Sequence, residues 1–276
     1  MVHKNFNDGG ADMKREQLKE YKRIVIKVGT SMVTYPNGRL NLKRVERLAW
    51  VLSDLRNQGK EVVLVTSGSI GIGSVRLAFE ERPKETKRKQ AAAAVGQAIL
   101  MQVYQNFFNE YNQKMAQILL TKDDIINDER KNNTMNTFET LLELGVIPVV
   151  NANDTISTDE IGFSDNDKLS ALVASILNAD LLILLTDIDG LYDADPKENP
   201  SAERISYVEG ITQEIEAMAG EKGSKFSVGG MTTKIEAAKM CMKQKLDMVI
   251  ALGENPTIVF EILDGEDVGT YFKGKI

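Results

Sequence analysis

Residues 163–196 read FSDNDKLSALVASILNADLLILLTDIDGLYDADP, and their pattern decides the fold class. Ser164 or Asp165 is placed to cap a helix, and Leu169, Leu172, Val173, Ile176 and Leu177 recur at helical spacing along one face. Asp180 ends that helix. Leu181 to Leu185 is an unbroken apolar run too short for a helix, which suits a parallel strand covered on both faces. It stops at Thr186-Asp187, before Gly190 and a turn through Asp193 to Pro196. Ligands of open α/β sheets sit beyond the carboxyl ends of strands, so Asp165, Asp167, Thr186 and Asp187 stand where a site belongs. The same residues also fit a capped helix followed by an ordinary strand-end turn.

The alternation repeats outward from this stretch. Arg23 to Val28 is a strand entering Gly29-Thr30-Ser31, and Lys27 lies inside it, where a buried ammonium needs a partner unless the position faces outward. Asn41 to Asn57 is an amphipathic helix, and Glu61 to Thr66 a second strand. That strand runs into Ser67-Gly68-Ser69-Ile70-Gly71-Ile72-Gly73, a turn whose backbone N–H groups can approach an anion. It matches neither the P-loop nor the GxGxxG spacing, and the same turn also arises from geometry alone. Glu80 to Lys89 reads as a charged, solvated loop, and Gln90 to Tyr111 as a long helix. The small residues Ala91 to Ala94, Gly96 and Ala98 permit close packing, in the core or across a subunit boundary.

Met115 to Leu120 and Val146 to Val150 are further strands with a helix, Asn133 to Leu144, between them; the second ends in Asn151-Ala152-Asn153-Asp154. Thr155 to Phe163 suggests a short hairpin. Later come a helix near Thr212 to Ala219, a glycine pair before Thr232-Thr233-Lys234 at the start of a helix reaching Lys243, and strands at Met248 to Leu252, Thr257 to Ile262 and Val268 to Phe272. A lysine in the first turn opposes the helix dipole, so a bound anion would explain Lys234; an ordinary surface lysine is the alternative. The alternation predicts an α/β fold, a three-layer αβα sandwich with a mainly parallel sheet. Met1 to about Glu20 reads as a flexible or weakly helical leader.

Composition narrows the chemistry. The chain has 276 residues, 42% of them hydrophobic, enough for one large core or two lobes. No apolar run approaches the roughly 18 residues of a membrane helix, and the polar start lacks a signal core, so a cytoplasmic protein is expected. A net charge of −6 argues against nucleic acid as a partner. Cys241 is the single cysteine and His3 the single histidine, which disfavours disulfides, thiolate metal sites and histidine-dependent hydrolysis. An enzyme built on this chain works with lysines, carboxylates, hydroxyls and backbone amides.

Seven stretches taken in order, VIKVGTSMVT, VVLVTSGSIGIG, KQAAAAVGQAIL, GVIPVVNANDTI, FSDNDKLSALVA, LLTDIDGLYDADP and VGGMTTKIEAA, resemble the amino acid kinase family. KQAAAAVGQ favours the branch that phosphorylates the γ-carboxylate of L-glutamate, the first step of proline synthesis. The resemblance covers the chain from Tyr21 onward and is closest to members lacking a C-terminal PUA domain. It implies an acceptor lobe over about residues 21–180 and an ATP lobe over about 181–276. It further implies Lys27 and Lys234 as the lysines that neutralise the transferring phosphoryl group, and Asp167 as the carboxylate that orients them. Ser67, Asp154, Asn166 and Gly68 match acceptor-contacting positions. Lys27, Thr186, Asp187 and the run Val228, Gly229, Gly230, Met231, Thr232, Thr233 and Lys234 match nucleotide-binding positions. Departures fall at Ser164, Ala152 and Val228, where the family pattern has glycine, glutamate and threonine-glycine, so the nucleotide loop can differ in shape.

ATP, feedback inhibition by proline and hand-off to glutamyl-phosphate reductase are also implied; Mg2+ is expected to arrive on the phosphates of ATP with few dedicated protein ligands, and the small-residue helix from Gln90 favours a homo-oligomer. The alternatives are another acceptor on the same fold, or an amino-acid-sensing module without catalysis. The second would predict loss of Lys27, Asp167 or Lys234, and all three are present. A nucleotide acceptor would want arginines, which the loops at 67–72 and 151–169 lack.

Overall fold

The computed structural model describes residues 15–156, 166–196, 198–220 and 230–274. Its strands are β1 (Arg23–Val28), β2 (Glu61–Val65), β3 (Lys114–Leu120), β4 (Val146–Ala152), β5 (Leu181–Thr186), β6 (Leu191–Tyr192), β7 (Arg204–Ile205), β8 (Tyr207–Val208), β9 (Asp247–Leu252) and β10 (Thr270–Phe272). Eight of them form one sheet in the order β3-β4-β2-β1-β5-β9-β10-β8, and β6 pairs with β7 apart from it. Every neighbour pair in the sheet is parallel except β9 with β10. The chain runs outward from β1 to β2 on one side and later adds β5 on the other. The carboxyl ends of β1 and β5 therefore flank the switch point where open α/β sheets bind ligands.

Side-chain alternation along these strands divides the interior into two cores. Ile24, Ile26, Val28, Leu181, Ile183 and Leu185 face one layer, packed with Leu48 and Leu52 of helix Leu42–Asn57 and Leu100 and Tyr104 of helix Thr86–Glu110. Val25, Val63, Val65, Leu182 and Leu184 face the other, packed with Leu169 and Val173 of helix Asn166–Ile176 and Ile235 and Ala238 of helix Met231–Lys243. Lys27 shares the parity of Val25. It thus points toward the layer whose helices carry Asp167 and Lys234. This is the expected three-layer αβα sandwich.

Three local differences from expectation have physical causes. Thr257 to Ile262, expected as a strand, is instead helix Ile258–Leu263, because Val259, Ile262 and Leu263 form a buried stripe at helical spacing. The helix expected from Gln90 begins at Thr86, so Lys87, Arg88 and Lys89 are its solvated first turn rather than loop. Residues 15–20 do not hang free: Leu18 is fully buried, and the buried Arg15 guanidinium donates to the carbonyls of Ser206, Val268 and Gly269 at 2.7, 2.9 and 3.2 Å. The hairpin expected between Thr155 and Phe163 lies mostly outside the described residues, as do Ser164 and Asp165.

The glycine run after β2 divides its work. Gly68 has φ +104°, the left-handed region glycine favours, and turns the chain into helix Ser69–Arg76. Gly73 is helical and faces Gly96 of helix Thr86–Glu110. A Cβ on Gly96 would lie 1.8 Å from the Ser69 carbonyl oxygen, and one on Gly73 1.8 Å from that of Ala92. The small-residue face of the long helix is thus used inside the chain. Gly96→Ala has only backbone to push against and is expected to cost about 3 kcal/mol or more, the upper range for overpacking. A urea midpoint within experimental error of the unsubstituted protein would contradict this contact.

Candidate active site

Lys27, next to last in β1, ends against Asp167, second residue of helix Asn166–Ile176; Lys27 Nζ lies 2.5 Å from Asp167 Oδ1. Lys234, in the first turns of helix Met231–Lys243, lies 3.1 Å from Asp167 Oδ2. Thr233 Oγ1 donates to the same oxygen at 3.1 Å. All three charged side chains are buried, Asp167 to within 1%. Burial by itself raises the Asp167 pKa, but the Lys27 and then the Lys234 ammonium outweigh it and hold the carboxyl below its ordinary value. The anion that explains a lysine in that first helical turn is Asp167. Two ammonium groups against one carboxylate leave the cluster net positive, beside the N-terminal ends of two helices.

A row of amides extends from this cluster. Asn166 Nδ2 reaches the Thr66 carbonyl at 2.7 Å, Ser67 Oγ at 2.8 Å and Asn151 Oδ1 at 3.0 Å. Asn151 Oδ1 also accepts from the Ala152 N–H at 2.9 Å, and Asn151 Nδ2 donates to Gln97 Oε1 at 2.9 Å. Beyond the row lies a cavity of about 260 Å3 lined by residues that include Ser69, Gln97, Asn153 and Asp154. Of the positions that the resemblance matches to acceptor contacts, Ser67 and Asn166 meet in the row and Asp154 lines the cavity that Gln97 also lines. Gly68 contributes through its backbone turn. Asn151 and Gln97 were not among the named residues. Their signal was present, an asparagine at a strand end and the glutamine of KQAAAAVGQ, but only the fold places them together.

On the other side of the switch point, Thr186 closes β5 and its hydroxyl donates to Asp187 Oδ1 at 3.0 Å. Thr186 is buried and Asp187 exposed. Gly230 precedes helix Met231–Lys243 in an extended conformation and its carbonyl accepts from Thr233 Oγ1 at 2.9 Å. Thr233 thus ties the start of that helix to Asp167, a connection its place in a nucleotide loop did not suggest. Met231 is half-buried against the core and Thr232 exposed. Val228 and Gly229 lie outside the described residues. Among the described residues, no three histidine, cysteine or carboxylate side chains converge to hold a cation, and no helix is long and apolar enough to cross a membrane.

Known proteins resemble this chain in sequence and in fold. The model of the "Amino acid kinase family" matches residues 22–251. A glutamate 5-kinase of Clostridium perfringens is 54% identical over 95% of this chain and 98% of its own. Those of Listeria innocua and Enterococcus faecalis are 52% and 49% identical, covering 96% and 97% of their lengths. Among solved structures, UMP kinases of Ureaplasma parvum and Bacillus anthracis superpose with TM-scores of 0.63 and 0.62 over 92% and 93% of this chain; at 17% and 18% identity they speak to the fold alone. The chain belongs to the amino acid kinase family and stands within it beside the glutamate 5-kinases.

Proposed function

We propose that this chain transfers the γ-phosphoryl group of ATP to the γ-carboxylate of L-glutamate, giving L-glutamyl 5-phosphate, the first step of proline biosynthesis. The observation that carries the reading is the Asp167 carboxylate holding Lys27 and Lys234 side by side at the sheet's switch point. A glutamate side chain, ordinary pKa about 4.3, is already ionised near neutral pH, so the attacking group needs no general base. What the reaction needs is two anions brought into line and the charge on the transferring group stabilised. One carboxylate oxygen attacks the γ-phosphorus while the bond to the β,γ-bridging oxygen breaks and ADP leaves with the electron pair. Lys27 and Lys234 neutralise the equatorial phosphoryl oxygens; Asp167, ionised throughout, keeps both ammoniums aimed at that point.

Residues of about 21–180 are assigned to the acceptor, with Ser67, the Gly68 backbone, Asp154 and Asn166 around it. Residues of about 181–276 are assigned to ATP, through Thr186, Asp187 and the Val228–Lys234 segment. The cavity beside Asp154, smaller than the roughly 300–1,000 Å3 usual for drug-sized ligands, suits an amino acid. Mg2+ is proposed to arrive on the phosphates of ATP, which supply hard oxygen ligands; no protein ligand is assigned to it. The product is an acyl phosphate that water cleaves readily, which favours direct hand-off to glutamyl-phosphate reductase in a cytoplasmic setting. Proline inhibition at a site overlapping that of glutamate, and assembly into a homo-oligomer, complete the proposal.

The test is ATP- and Mg2+-dependent hydroxamate formation, in which hydroxylamine traps the acyl phosphate, with L-glutamate, aspartate and N-acetylglutamate compared. Product with L-glutamate alone is expected, and proline should raise the glutamate concentration required. Product with another acid alone would move the acceptor. ATP binding without any product would favour an amino-acid-sensing module.

A further inference from the structure

We infer that Gln97 is the residue that recognises the α-carboxylate of the acceptor, and so selects an α-amino acid over a simple carboxylic acid; this rests on the kinase reading above. The polarity of the amide row is set by two backbone groups whose roles cannot be exchanged. The Thr66 carbonyl can only accept, which turns the NH2 of Asn166 toward it; the Ala152 N–H can only donate, which turns the oxygen of Asn151 toward it. Asn151 must then present its NH2 to Gln97, and Gln97 must answer with its oxygen. That leaves the Gln97 NH2 directed away from the row. Gln97 is 8% exposed, and its Nε2 is buried without a hydrogen-bond partner among the described residues.

A buried donor left unsatisfied costs about 1–3 kcal/mol, so its persistence needs an explanation. Gln97 lines the 260 Å3 cavity together with four alanines, Leu119 and the polar Ser69, Gln117, Asn153, Asp154 and Thr155. The group that satisfies the NH2 therefore enters through that cavity, and it must be an acceptor. Asp154 lines the same cavity and offers a carboxylate. Of the polar groups around this amino-acid-sized space, the buried, unsatisfied Gln97 NH2 complements an α-carboxylate and the Asp154 carboxylate an α-ammonium. The γ end is accounted for separately: the row leads from Gln97 through Asn151 and Asn166 to Asp167 and its lysines, placing α-carboxylate recognition at the end remote from phosphoryl transfer.

The experiment compares L-glutamate with 4-aminobutyrate, which keeps the reacting carboxylate and lacks the α-carboxylate. The full chain and its Gln97→Leu and Gln97→Glu variants are assayed by hydroxamate formation. Gln97→Glu keeps an oxygen for Asn151 and replaces the donor with a negative charge, so it serves if the leucine variant does not fold. The ratio of kcat/KM for L-glutamate to that for 4-aminobutyrate is expected to fall about 10- to 100-fold in either variant, the scale of one hydrogen bond to a charged group, with the L-glutamate loss mainly in KM. A ratio within threefold of the unsubstituted protein's, or equal losses with both acids, would reduce Gln97 to a packing residue and overturn the inference. Failure of the unsubstituted protein to use L-glutamate would instead overturn the kinase reading itself.

Discussion

Asp167→Asn is expected to lower kcat by at least about 100-fold, the scale of losing preorganised electrostatics, and to destabilise the fold by about 3–5 kcal/mol, the usual cost of removing one partner from a buried ion pair. The two effects share a cause. Asp167 is the carboxylate between two buried lysines; without its charge, Lys27 and Lys234 repel each other at the point where they must converge. The phosphates of ATP can supply the missing negative charge, so the thermal shift on adding ATP should be larger in the variant. Acid should also act differently on the two proteins. Burial raises the Asp167 pKa, and Lys27 and Lys234 more than reverse this, leaving it below the usual 3.8. A carboxyl whose pKa is depressed by folding contributes stability that is complete above its unfolded pKa and lost as pH falls through its folded one. The unsubstituted protein should therefore keep this contribution down to about pH 4 and lose it only below, whereas Asp167→Asn lacks that acid-dependent part. Thermal melts of both proteins between pH 7 and pH 3, with hydroxamate assays at pH 7, check all of this. An Asp167→Asn enzyme with unaltered melting and near-normal turnover would refute the orienting role.

Lys27→Ala and Lys234→Ala should each reduce kcat by at least about 100-fold yet leave a folded protein. Removing either lysine still leaves Asp167 a cationic partner, so no buried charge is stranded. The loss should appear in kcat more than in the KM for L-glutamate, because the ammoniums act on the transferring phosphoryl group. The double variant should lose less than the product of the single losses, since both groups serve the same charge. Purified variants with native circular dichroism, assayed at saturating ATP, are the measurement. Near-normal turnover in either would remove that lysine from the proposed mechanism.

Much of this was legible in the residues because the strands are short, apolar and punctuated. Leu181 to Leu185 could hardly be anything but a buried parallel strand, and the helix read as starting at Asn41 starts one residue later, with the Asn41 side chain capping it by accepting from the Arg44 N–H at 3.2 Å. Thr257 to Ile262 was misassigned because a short run rich in β-branched and apolar residues satisfies both periods. Only contact with the sheet face chose the helical stripe of Val259, Ile262 and Leu263. Arg15 was assigned to a flexible leader because its binding partners, the carbonyls around residues 206 and 269, lie some 190 and 250 positions away.

Residue order alone sets the chemistry available: lysines and carboxylates without a usable histidine, at strand ends and helix starts where anions bind. It also sets the alternation that forces a covered parallel sheet. The tertiary structure decided which of those groups meet. Both faces of β1 are apolar, so nothing local says toward which layer Lys27 points. The answer comes from the helices that cover the face of Val25, and those carry Asp167 and Lys234. In the same way a glutamine in an alanine-rich helix became a directed donor only when two distant backbone groups, the Thr66 carbonyl and the Ala152 amide, fixed the polarity of the amides between them. Charge and periodicity are properties of a chain, whereas the direction of a hydrogen-bonded row depends on both of its ends and exists only once folding has brought them together.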